Sequence, residues 1–202
     1  MKALGKGSIA SWVRIGLLVA WWVMWFSAVC LVAFAVGYAA LLLLVQNGII
    51  DPQVLTGGEG QVRLGDADGS SFNITYDEPG GLTWPVVLPG ILIAGVAVAG
   101  SLIIIWRLRK LFESFTSGEP FRRENAQHLR VIWITMVVIE VSRWILAALT
   151  AVLVVQFSNV EHISIEPEGD PLTTWMAIFV LICLAEVFRE GARLKEEQEL
   201  TI

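Results

Sequence analysis

The sequence predicts a mainly α, integral membrane protein with four transmembrane helices and a small antiparallel β cap on the extracytoplasmic side. Three observations predict it. Hydrophobic residues make up 55% of the 202 and charged residues only 16%, with a mean hydropathy of +0.68. That is far too apolar for a soluble domain of this size. The apolar residues are gathered into four blocks, and a helix needs roughly 20 of them to cross a bilayer core about 30 Å thick. The segments between the blocks alternate in charge, basic on one side and acidic on the other.

The elements follow in chain order within one membrane domain, 1–202. The first block runs from about Ile15 to Val45. Lys2, Lys6 and Arg14 precede it as they would a signal peptide. Its apolar run is about twice the length of a signal core and no cleavage site leads into polar sequence, so an uncleaved span is expected. The loop 46–83 contains "QVRLGDADGSSFNITY", in which Val62, Leu64, Phe72, Ile74 and Tyr76 alternate with polar neighbours around "GDADGS". This predicts a β-hairpin. The second span covers about 84–106. The loop 107–130 begins as a continuation of that helix; Gly118 is placed to stop it and Pro120 suits the first turn of the next. The third span covers 131–155. The loop 156–171 holds "VEHISIEP", a third alternating stretch, and a lone hairpin is marginal in water without such a partner. The fourth span, 172–188, is short, and the tail 189–202 reads as its helical extension.

Charge sets the orientation. Twelve of the fourteen Lys and Arg lie in 1–14, 107–130 and 189–202: Lys2, Lys6, Arg14, Arg107, Arg109, Lys110, Arg122, Arg123, Arg130, Arg189, Arg193 and Lys195. The loops 46–83 and 156–171 hold Arg63 alone, with ten acids from Asp51 to Asp170. Basic flanks stay inside, which places both termini in the cytoplasm of a bacterial inner membrane. Trp84 and Trp175 mark the outer boundary and Trp12, Trp106 and Trp133 the inner one. Trp21, Trp22, Trp25 and Trp144 lie deeper, as packing or lipid-facing residues. Cys30 and Cys183 sit in spans at different depths, which disfavours a disulfide.

No catalytic constellation is visible, so the chain is read as a non-enzyme with no cofactor or metal. His128 is expected inside and His162 outside. "DADG" has its glycine and its last acid misplaced for a calcium loop. "NIT" at Asn73 is a sequon only in a glycosylating host. Basic residues flanking spans are a topology signal first, so direct nucleic-acid binding is not expected. What stands out is Glu140 and Arg143 inside the third span. Counted from Arg130 they lie about 15 Å and about 20 Å deep. Three residues apart, they share a helix face. Ser27 lies near Arg143's depth, whereas Glu186 lies only about 5 Å from the inner boundary. One reading makes the pair a proton or ion relay in a small transporter or channel. The other makes it a polar contact that fixes helix packing or a homo-oligomer interface. The second is preferred, because broken helices and repeats, the marks of transporters, are missing from the sequence.

Two stretches carry a resemblance: "FTSGEPFRRENAQHLR" (115–130) and "LAEVFREGARLKEEQELTI" (184–202). They resemble a bacterial family of four-span membrane proteins, the domain of unknown function 2975. In that family a loop of the type sG-x-PF-x-x-x-N-x-x-x-L precedes the third span, and Gly118, Pro120, Phe121, Asn125 and Leu129 match it. The family's tail, FR-x-G-x-x-L-x-x-E-x-x-LT, is matched by Phe188, Arg189, Gly191, Leu194, Glu197, Leu200 and Thr201. The resemblance implies no activity. It implies genomic association with small Cro-like helix-turn-helix regulators, which fits a regulatory partner role. The expectation is therefore a sensory or regulatory protein of the lipid bilayer that holds a cytoplasmic partner on Gly118, Pro120, Phe121, Asn125, Phe188, Arg189, Gly191, Glu197 and Leu200. A transporter is the alternative, and a membrane enzyme stands third.

Overall fold

The computed structural model describes residues 9–51, 55, 61–64, 71–76, 83–116, 122–157, 163–168 and 171–199. Four helices carry the fold: α1 (Ile9–Gln46), α2 (Trp84–Thr116), α3 (Arg123–Phe157) and α4 (Pro171–Glu199). All four are long and apolar enough to cross a membrane, and the chain is a multi-pass membrane protein. The helices outrun the apolar blocks. α3 has 35 residues, about 52 Å at the usual rise, against a hydrocarbon core of about 30 Å. Hydropathy reads side chains, whereas the backbone ladder continues wherever the next residue still accepts helical geometry. Hence α2 runs on past Trp106 to Thr116 and α4 past Phe188 to Glu199.

The ends have local causes. Gly48 adopts φ 69°, and its N–H bonds the Val45 carbonyl while that of Ile49 bonds Leu44. That pattern closes a helix on a left-handed residue, which glycine adopts without a Cβ clash. At the start of α2 the Thr83 carbonyl accepts from the N–H groups of both Val86 and Val87, and Pro85 occupies the first turn, where a missing N–H costs little. Pro89 lies further in and is fully buried. α3 opens with the Asn125 N–H on the Arg122 carbonyl, and Glu124 in its first turn complements the positive end of the helix dipole. Gly118 and Pro120 lie outside the described residues.

Backbone pairing joins three short strands: β1 (Gln61–Leu64), β2 (Ser71–Tyr76) and β3 (Ile163–Glu168). Both pairings are antiparallel and the order is β1-β2-β3, with Val62 opposite Ile74 and Ile74 opposite Ile165. The turn between β1 and β2, with "DADG", lies outside the described residues, as does His162.

The chain divides into two compact units, each taking a stretch of all four helices. In the unit formed by 1–27, 98–139 and 175–202, Leu111, Leu129, Ile132 and Ile178 are buried. Here α2 meets α3 at Gly100, where a Cβ would lie 2.4 Å from Ile139 Cδ1 and 2.7 Å from its Cγ1. Only the missing side chain allows that approach. The Phe115 ring stacks on Phe188 at 5.9 Å. In the unit formed by 28–97 and 140–174, Tyr38, Val86, Val87, Ala147 and Val154 are buried, and Trp84 meets Phe157 edge-on at 4.9 Å. Large apolar side chains face outward along α1, Trp22 at 67% and Phe26 at 72% exposed among them. In water this would be an aggregation surface; in lipid it is the solvated one.

Candidate functional site

The charged pair within the apolar stretch of α3 is built on one helix turn. Spacing of three and four puts Glu140, Arg143 and Trp144 on neighbouring positions of one face. The Glu140 side chain is 3% exposed and that of Arg143 12%. Arg143 Nη2 donates to Glu140 Oε1 at 2.6 Å, and Trp144 Nε1 donates to the same oxygen at 3.3 Å. A carboxylate removed from water needs such donors, because an unpaired charge in a low-dielectric interior is costly. The guanidinium supplies charge and the indole a neutral donor, while Trp144 as a whole remains partly exposed. Nearby in sequence, the buried Thr150 hydroxyl donates to the Leu146 carbonyl at 2.8 Å.

Ser27 and Glu186 make separate contacts. The Ser27 hydroxyl donates back to the Val23 carbonyl at 3.0 Å. Glu186 accepts from Arg189, one turn along α4, with both side chains exposed. Further along, Arg193 lies 2.6 Å from Glu190 and 3.4 Å from Glu197. Such exposed pairs within a helix each contribute a few tenths of a kcal/mol, so they favour the helical tail without fixing it.

The residues matched to the family motifs split in role. Asn125 is 1% exposed, and its amide donates to the Ser114 hydroxyl, which in turn donates to the Leu111 carbonyl at 3.2 Å. It ties the last turns of α2 to the first turn of α3, a scaffold position and not a surface one. Phe188 has its ring against Phe115, and Gly191 is half-buried. Arg189 and Glu197 are exposed. Phe121, Leu200 and Thr201 lie outside the described residues. Arg107 Nη1 lies 3.2 Å from His128 Nδ1. A guanidinium can only donate, so this imidazole nitrogen accepts and the ring proton resides on Nε2.

Sequence reasoning missed Trp144 and Ser114. Trp144 stands four residues after Glu140, a spacing that was available; its indole N–H makes it a donor and not merely a lipid-facing ring. Ser114 gives no such signal, because its partner Asn125 is on another helix.

A family model described as "Protein of unknown function (DUF2975)" matches residues 73–202. No curated protein and no solved structure matches the chain.

Proposed function

The chain belongs to the family described as Protein of unknown function (DUF2975), and on that premise we propose that it is a sensory or regulatory protein of the bacterial inner membrane. It works through a soluble partner that docks where α2, α3 and α4 end in the cytoplasm. The observation that carries this reading is the continuity of α4 from Pro171 to Glu199. The helix leaves its apolar segment near Phe188 and continues unbroken, so it is a stiff extension of a span. Phe188 against Phe115 and the buried Ala192 anchor its inner face. Arg189, Leu194 and Glu197 remain exposed, Leu194 at 51%. A shift in the spans would therefore move this surface as a body.

The outer half of the proposal is a sensing cap made of β1, β2 and β3. It is supported by the pairing of β2 with β3, because strands from the loops 46–83 and 156–171 can pair only if both loops lie on one side of the membrane. The scarcity of Lys and Arg in those loops, Arg63 alone, supports the extracytoplasmic side for both. The partner best suited to the cytoplasmic surface is a small helix-turn-helix regulator, and a surface this small implies reversible binding.

Deleting residues 195–202 tests the docking. The truncated chain is expected to insert and fold, since Phe188 and Ala192 remain, but to lose co-purification of a helix-turn-helix regulator encoded beside it. Undiminished co-purification would remove the tail from the docking surface. Failure to insert would assign it a structural role instead.

A further inference from the structure

We propose that the cytoplasmic end of the α2 span is a binding site for the phosphate of an anionic phospholipid headgroup, formed by Trp106, Arg107 and Lys110 with Arg109 and Trp21 beside them. The inference does not rest on a soluble partner; it requires only that α2 crosses a membrane.

The first observation is unbalanced charge. Arg107, Arg109 and Lys110 fall within one helical turn, and among the described residues none forms an ion pair with a carboxylate, Glu124 being near enough only to act on the same His128 as Arg107 and Lys110. The arginines of α3 and α4 that show ion pairs, Arg143, Arg189 and Arg193, are each matched by a glutamate of their own helix. The second is how the three cations are held. The Arg107 guanidinium lies 4.6 Å and the Lys110 ammonium 4.5 Å from the centre of the Trp106 ring. Arg109 lies 5.8 Å from that of Trp21. An aromatic face positions a cation and leaves its N–H groups free to donate, but it does not neutralise it. Two like charges on one ring repel, and an anion bridging them removes that repulsion. Arg107 already gives Nη1 to His128, and its Nε is buried without a hydrogen-bond partner.

The third observation selects a lipid over a soluble anion. Ala99, Ile103, Trp106 and Lys110 are exposed and recur at spacings of four, three and four, so they form one stripe down α2. The stripe is apolar as far as Ile103, amphipathic at Trp106 and cationic at Lys110. A phospholipid presents the same profile, acyl chain then glycerol then phosphate, at the depth where indoles and basic residues gather.

The test uses the full chain purified in mild detergent from mixtures of phosphatidylglycerol and phosphatidylcholine, with retained lipid counted by native mass spectrometry. The wild-type chain is expected to retain phosphatidylglycerol in preference. Arg107→Gln with Lys110→Gln should reduce that preference about tenfold or more, given roughly 1 kcal/mol per basic residue near an anionic surface. Lys110→Gln alone, which leaves the His128 contact intact, should reduce it severalfold. Arg193→Gln, whose charge is already paired, should not change it. Equal retention of both lipids by the wild type overturns the proposal. So does an unchanged preference in the Lys110 variant, or an equal loss in the Arg193 variant. Displacement of the lipid by millimolar inorganic phosphate would make the site one for soluble anions and overturn it as well.

Discussion

Glu140→Leu is expected to be the most destabilising single substitution in the polar pair, and worse than Arg143→Leu. Both remove one partner of a buried contact, a change that costs about 3–5 kcal/mol in general. The two residues left behind differ, however. Without Arg143, Glu140 keeps the Trp144 indole as a donor. Without Glu140, the guanidinium stays charged, because arginine does not deprotonate in proteins. Its side chain is only 12% exposed, so water offers it little. The double substitution to leucine removes both charges and is expected to recover much of the loss. Thermal unfolding of the four proteins in detergent gives the coupling energy. Strictly additive losses would mean that the 2.6 Å contact does not couple them. Single variants that keep full stability and lose function would move the pair from packing to a relay.

Gly100→Leu is the second large effect. A Cβ at this position would already lie 2.4 Å from Ile139 Cδ1, with Thr135 Cγ2 behind at 3.4 Å, so further carbons must push α2 away from α3. Overpacking of this kind costs about 1–3 kcal/mol. Gly100→Ala is milder than the leucine, since it adds one carbon and alanine gains up to about 1 kcal/mol of helix propensity over glycine, but Ile139 must still shift, because its Cγ1 as well as its Cδ1 lies under 3 Å from the new Cβ. Ile139→Ala alone leaves a gap, but combined with Gly100→Leu it should restore part of the stability. If the leucine variant unfolds at the wild-type temperature, α2 and α3 do not approach this closely.

Much of this fold was legible because a bilayer imposes simple demands. Apolar runs about 20 residues long reveal spans without knowledge of their packing. The Glu140–Arg143 contact was legible for a related reason: both partners are on one helix, so spacing alone decides whether they meet. What stayed hidden depends on a second helix. The Asn125 amide on Ser114 and the Phe115–Phe188 stack join residues whose separation in sequence says nothing of their distance in space. Asn125 consequently reads as a surface docking residue in the sequence and is 1% exposed in the fold. Gly100 reads as one more small residue in an apolar run, and only the position of Ile139 gives it a role. The extensions of α2 to Thr116 and of α4 to Glu199 were legible as well, because the sequence beyond each apolar run stays compatible with a helix up to Gly118 and through the charged tail.

Four spans are expected to place the loops 46–83 and 156–171 on the outside and the loop 107–130 with both termini on the inside. Single-cysteine labelling in intact cells tests it most directly. Cys30 and Cys183 are free thiols and are first replaced by alanine, after which one cysteine is introduced at Gly69, Ser117 or Gly169. A membrane-impermeant thiol reagent is expected to label the first and third positions in sealed cells, and the second only after permeabilisation. Labelling at position 117 in sealed cells would contradict the topology, and opposite accessibility of 69 and 169 would contradict the pairing of β2 with β3 as well.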